Sequence, residues 1–180
     1  MKPVAYDPER AKKLLAEAGY PNGIDIEFNT PDGRYIKDKE YAQAIGGQLA
    51  KVGIRAKVQP REWSHFTKQM WARQSSPITL MAWVDSVNDP DVMNYRILQT
   101  GGTWSQNSDP KLDELIVRIK SEMDGEKRKA LIGEQQKYMR ETWPVAYLQS
   151  MGILAGVSSK LAWWQPMPND AHRFYKLNID

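Results

Sequence analysis

The chain has 180 residues, of which 41% are hydrophobic and 26% charged. That is enough for one compact domain with its own core, and it excludes disordered and fibrous classes. The net charge of +3 is spread over 25 basic and 22 acidic residues without a block of like charges, so the clustered basic face of a nucleic-acid footprint is absent. No cysteine occurs, which removes disulfides, thiolate metal sites and a cysteine nucleophile together. Nor does any apolar run reach the ~18 residues of a membrane helix. The first residues lack a basic segment followed by an apolar one, so an export signal is expected only on a longer precursor.

Asp7-Pro8 opens the first predicted helix, with Asp7 as cap and Pro8 at the first helical position. Ala11, Leu14, Leu15 and Ala18 form its apolar stripe, and Gly19 stops it. Residues 24–29 alternate apolar and polar side chains, the pattern of a half-buried strand. A turn at 30–33 leads into a helix over 37–52, with Ala42, Ile45, Leu49 and Val52 inward. Residues 54–58 alternate again, a helix follows over 62–73, and residues 78–84 are nearly all apolar, as in a central strand covered on both faces. Strand, helix, strand, helix, strand at this spacing predicts a βαβαβ core with parallel neighbours in one open, mixed α/β sheet. A polar loop at 85–88, a short helix from Asp89-Pro90 and a loop over 101–107 come next. Two amphipathic helices follow over 110–123 and 126–142, then a strand over 145–154 and an aromatic, weakly periodic tail over 158–180.

Certain segments resemble the family-5 extracytoplasmic solute-binding proteins, which feed peptides, nickel complexes, opines or sugars to ABC transporters. They are Tyr6-Asp7-Pro8-Glu9-Arg10 through Gly23, then Gly33-Arg34-Tyr35, then Ala44 to Gly53, then Glu62-Trp63. Trp83 through Pro90, Ser108-Asp109-Pro110 and Trp143-Pro144-Val145 complete the series in the family's order. The resemblance implies the C-terminal lobe of a type II periplasmic-binding-protein fold, part of a binding device and not an enzyme. Its parent would be extracytoplasmic and would deliver solute to a membrane permease. Residues 1–157 would form the ligand-binding lobe, and 158–180 would return to pack on a first lobe that this fragment lacks. With that lobe absent, Trp163, Trp164, Phe174 and Tyr175 are expected to keep an exposed face or to mediate dimerisation.

Open α/β sheets bind ligands beyond the carboxyl ends of their strands, and two loops here take such positions. In the first, Arg34 offers a bidentate fork to a carboxylate or phosphate, and Tyr35 a flat face with a hydroxyl. The plainer alternative is that Arg34 pairs with Asp32 or Asp38 on the surface. The second loop runs from Trp83 to Asn88. In peptide-binding members of the family, the tryptophan is followed three residues later by an aspartate that holds the peptide's amino terminus. Here that position is Ser86, and the nearest acid, Asp85, sits one residue early. The reading adopted is that the ammonium contact is lost, which favours a sugar-like, opine-like or neutral-ended ligand. Trp83 is either a ligand contact or a core residue, and Asn88 lies on the same loop. Trp104 is either a stacking platform or a cover for the core edge.

Asp89 reads as a helix cap. Trp63, Phe66, Met70 and Trp71 follow helical spacing and are assigned to core packing. The two histidines, His65 and His172, are far apart in sequence, and no nucleophile elbow, phosphate loop or dinucleotide glycine run is present. Catalysis, a metal site and a cofactor are therefore not expected. The competing class is an aromatic-rich carbohydrate-binding or protein-interaction module standing alone, which the seven tryptophans would serve. Such modules are mostly all-β, against the βαβαβ reading.

Overall fold

The structure, a computed structural model, describes residues 4–84, 89–150 and 156–160. Two compact units divide the chain, with the boundary between Ala82 and Trp83.

The first unit begins with α1 (Pro8–Glu17), where the Asp7 carboxylate accepts the Arg10 N–H at 2.9 Å. Of the predicted stripe, Ala11 and Leu15 are half-buried, while Leu14 stays 53% exposed. Then come β1 (Ile24–Pro31), α2 (Asp38–Ala50), β2 (Ile54–Arg61), α3 (Trp63–Trp71) and β3 (Ile78–Thr79). The predicted βαβαβ order is present, and the α/β class with it. Every described strand pair is parallel, in the order β2-β1-β3. Ile24 faces Ile54 at one end of the ladder and Pro31 faces Arg61 at the other.

Burial along β1 follows from this order. Asp25 and Glu27 are exposed between half-buried Ile24 and Ile26, but Phe28 through Pro31 are all buried. That second half is where β3 joins on the other side, at Phe28 and Asn29. The middle strand is therefore β1, whereas the apolar run over 78–84 had marked that stretch as central. Only Ile78–Thr79 forms strand, and Leu80 adds one bond to the Asn29 carbonyl at 2.8 Å. In a parallel ladder the next rung would be donated by residue 31, and Pro31 has no N–H to give. Residues 81–84 leave the sheet as irregular chain, with Val84 51% exposed. A run of apolar residues reports burial, not pairing.

The second unit is helical among its described residues. α4 (Pro90–Met93) runs into a single π-helical turn over Asn94–Leu98, and α5 (Pro110–Ser121) and α6 (Gly125–Thr142) follow. Ile97, Leu98, Leu112, Ile116 and Met139 make its core, with Trp83, Met93, Trp104, Tyr138 and Val145 packed against them. Buried Gln135 on α6 donates to the Asn94 side-chain oxygen at 2.8 Å, tying α6 to the π turn. The strand expected over 145–154 is not found at 145–150, where the backbone is irregular and Tyr147 and Leu148 are 64% and 55% exposed. Trp143 adopts a left-handed conformation (φ 52°) at the end of α6, and no strand lies alongside the stretch among the described residues. Residues 151–154, and the tail from 161 on with Trp163, Trp164, Phe174 and Tyr175, lie outside the described residues.

One close approach fixes where β1 and β2 begin. The Ile24 N–H bonds the Gly53 carbonyl at 2.9 Å, and Gly23 (φ 80°) lies against it so closely that a Cβ would strike that carbonyl oxygen. Gly23→Ala is therefore expected to destabilise the chain by about 2 kcal/mol, from the left-handed penalty and the displaced carbonyl. Gly47, inside α2 with open space around its Cβ position, is the control. Gly47→Ala should leave stability unchanged or raise it by up to about 1 kcal/mol. Urea midpoints of the two variants measure the contrast.

Candidate functional site

Because the strands are parallel and in register, β1 and β2 end together, at Pro31 and Arg61. The chain leaves β1 through a turn over 32–37, and α3 starts two residues after β2 ends. The edge where ligands settle in open α/β sheets thus brings Arg34 and Tyr35 of the turn against Trp63, the first residue of α3.

The turn is built around one buried carboxylate. Asp38, 4% exposed, opens α2, and its Oδ1 accepts the Gly33 and Lys39 N–H groups at 3.1 and 2.9 Å. Its Oδ2 accepts the N–H groups of Arg34 and Tyr35 at 2.9 and 3.0 Å. Two left-handed residues, Gly33 (φ 77°) and Lys37 (φ 57°), bend the backbone so that it can wrap this carboxylate. Burial pushes the Asp38 carboxyl up, but the four backbone donors outweigh it and hold the group below the ordinary carboxylate value.

Above the turn, charge and aromatic faces stack. The Arg34 guanidinium lies 5.0 Å from the Trp63 ring centroid and 5.6 Å from that of Tyr35. Tyr35 meets Trp63 edge to face at 6.2 Å, and Trp63 stacks on buried Phe66 at 5.6 Å with 16° between planes. The surface pairing of Arg34 with Asp32 or Asp38 does not occur, since Asp38 is occupied by backbone donors. No ion pair or hydrogen bond takes up the guanidinium among the described residues. Its planar donor fork lies beside the two rings, a placement that cation–π attraction favours. The Tyr35 hydroxyl donates to the Ala82 carbonyl at 3.1 Å, and burial raises its pKa, so it stays a neutral donor.

Trp63, which helical spacing places in the core, is half-buried: one side stacks on buried Phe66, and Arg34 lies over its ring. Phe66 and Met70 are buried, as helical spacing predicts, while Trp71 is 56% exposed because it falls about 100° round the helix from Met70. The sequence did hold a signal for Trp63. A tryptophan two residues beyond a parallel strand sits at the carboxyl edge, not in the middle of the helix's buried stripe.

In the second unit, Trp83 is half-buried against the helical core, with the Arg96 guanidinium 5.7 Å from its ring. Its indole N–H is buried without a hydrogen-bond partner among the described residues. Trp104 packs on the same core, and its backbone N–H bonds the Arg96 carbonyl at 2.9 Å. Asp85, Ser86 and Asn88 lie outside the described residues. Asp89 caps α4 by accepting the Asp91 N–H at 2.9 Å and pairs with Arg128 of α6 at 2.8 Å. Among the described residues, no group of three His, Asp or Glu side chains is placed to hold a metal ion.

The profile of the family described as "Bacterial extracellular solute-binding proteins, family 5 Middle" matches residues 1–105. The chain belongs to this family. It is 27% identical to di/tripeptide-binding protein 2 of Pseudomonas aeruginosa over 97% of this chain and 34% of that protein. It is 26% identical to heme-binding protein A of Haemophilus influenzae, over 97% of this chain and 33% of the relative. Among solved structures it matches an ABC transporter-associated periplasmic binding protein of Helicobacter pylori in complex with the peptide STSA. That match has a TM-score of 0.66 and 28% identity, over 80% of this chain and 29% of the other. The chain thus spans about a third of the length of the curated relatives it matches.

Asp38 yields a pH-dependent prediction. Its folded pKa lies below the unfolded value, so its contribution is complete above about pH 4 and is lost as pH falls through the lower folded value. Asp38→Asn should cost about 1–3 kcal/mol at pH 7. The gap between wild type and variant should close as the pH is lowered below about 4. Denaturant titrations of both proteins between pH 7 and pH 3 give the comparison.

Proposed function

We propose that the chain is one lobe of the extracytoplasmic solute-binding component of an ABC importer, and that its solute is gripped at the Arg34–Tyr35–Trp63 edge. The observation that carries this reading is the Arg34 guanidinium, stacked beside two aromatic rings with its donor fork uncommitted among the described residues. Such a group suits a small solute bearing a carboxylate or another planar anion and an apolar portion to lie on the rings. Oligopeptides, opines and acidic sugar conjugates meet that description. Trp83, Asp85, Ser86, Asn88 and Trp104 remain further proposed contacts. Ser86, standing where an aspartate would hold a peptide's ammonium, favours a solute whose second end is neutral.

Capture would come from closure of a complementary lobe over the solute, with delivery to a membrane permease outside the cytoplasm. A solute that touches both lobes only when they are closed shifts the population to that state. This chain alone would make only part of the contacts. The family relationship supports the reading, since its members are solute-binding proteins; no nucleic-acid partner and no cofactor enter it.

The test is a thermal-shift screen of the 180-residue chain beside the product of the complete reading frame that encodes it. Peptides, opines, oligosaccharides and metal chelates form the panel. A true solute at a hundred times its dissociation constant should stabilise the complete product by ~2.7 kcal/mol, several degrees for a domain of this size. Arg34→Ala should remove most of that shift. If the 180-residue chain responds by as much on its own, the two-lobe reading is wrong.

A further inference from the structure

The backbone of Arg34 and Tyr35, the two proposed solute contacts on the turn, hangs from Asp38. One carboxylate takes the N–H groups of Gly33, Arg34 and Tyr35 in succession. The same residue begins α2, with its backbone carbonyl 3.4 Å from the hydroxyl of buried Thr30, whose nearer acceptor is the Pro31 carbonyl at 3.1 Å. The Asp38 carboxylate therefore ties the turn at 33–35 to the first residues of α2. The backbone does not reach this form by preference. Lys37 is held left-handed at φ 57° without the freedom of glycine, a conformation that persists only where surrounding bonds impose it. Across the turn, the Tyr35 hydroxyl bonds the Ala82 carbonyl at 3.1 Å, which anchors the ring that flanks Arg34.

From this we infer that Asp38 is the positioning residue of the solute site: it holds the 33–35 turn so that the Arg34 guanidinium stays on the Trp63 and Tyr35 rings, ready to receive an anion. The inference deepens the reading of Arg34 and Tyr35 as solute contacts and rests on it. Its physical content is preorganisation. An arginine on a loose turn would have to be ordered when the solute arrives, and that ordering would weaken binding by about tenfold for one rotamer-rich side chain. Four N–H donors on one buried carboxylate supply the order beforehand. An amide at this position keeps one acceptor oxygen and turns its other end into a donor, which faces N–H groups that are themselves donors.

The arrangement has a signature independent of any solute. Stacked on two rings, the Arg34 side-chain protons should resonate upfield of their usual positions in the NMR spectrum of this chain. The amides of Gly33, Arg34, Tyr35 and Lys39 should titrate together with the Asp38 carboxyl. Asp38→Asn and Asp38→Ala should abolish the common titration and move the Arg34 protons back toward random-coil positions. In the complete product, the same substitutions should weaken the best solute from the thermal-shift panel about tenfold, with Arg34→Ala as the reference loss. Should Asp38→Ala fail to fold, Asp38→Asn carries the measurement. Arg34 protons that stay upfield in a folded Asp38 variant overturn the inference, as does full affinity in an Asp38 variant when Arg34→Ala has lost it. If the Arg34 signals collapse while neither Asp38→Asn nor Arg34→Ala changes affinity, the assignment of solute contact to Arg34 falls instead, and Asp38 is left with a structural role only.

Discussion

Everything in the first unit depends on the parallel pairing of β1 with β2. Eight consecutive residues on each strand are in register, from Ile24 opposite Ile54 to Pro31 opposite Arg61, so the two strands begin and end together. At the beginning, Gly23 and Gly53 must approach closely enough for the Ile24 N–H to reach the Gly53 carbonyl. At the end, the turn after β1 and the first residue of α3 are delivered to the same edge. Neither Arg34 nor Trp63 is placed by a contact of its own making. The sheet brings them together, and the cation and ring then hold one another.

The site follows a division of labour common in α/β proteins, in which a rigid sheet fixes position and loops carry chemistry. Buried Phe28, Ala42, Phe66 and Met70 give the sheet its core. Buried Phe66 stacks on half-buried Trp63, so packing continues outward to the strand edge that carries Arg34. The polar part is handled differently. The Asp38 carboxylate is taken out of water but given four N–H donors, which offsets its desolvation and leaves the turn rigid. The exposed Arg34 guanidinium takes no hydrogen bond or ion pair among the described residues.

Much of the fold was legible in the sequence. The alternation at 24–29 and 54–58, the caps at Asp7 and Asp89 and the helical stripe at Leu112, Leu115, Ile116 and Ile119 are local signals, and each is present as expected. What failed were inferences from burial to pairing. The apolar run over 78–84 looks like a central strand, but its ladder stops where Pro31 lacks an N–H. The aliphatic stretch beginning at Val145 has no partner strand among the described residues. In the site, Arg34 and Tyr35 stood out because their residue types carry chemistry and they follow a strand. Asp38 appeared only as a possible salt-bridge partner for Arg34, since nothing local shows that a carboxylate will bind three preceding amides. Trp63 was hidden because its spacing to Phe66 and Met70 is also that of a buried stripe. Tertiary placement at the strand edge separates the two readings, and that is not a local property.

The most direct measurement is a crystal structure of the complete reading-frame product with its solute bound. The account predicts an acidic or other anionic group of the solute within about 3 Å of the Arg34 guanidinium, with an apolar portion against Trp63 or Tyr35 and the 33–35 turn still wrapped around Asp38. A solute bound elsewhere, with Arg34 left in solvent, would contradict it.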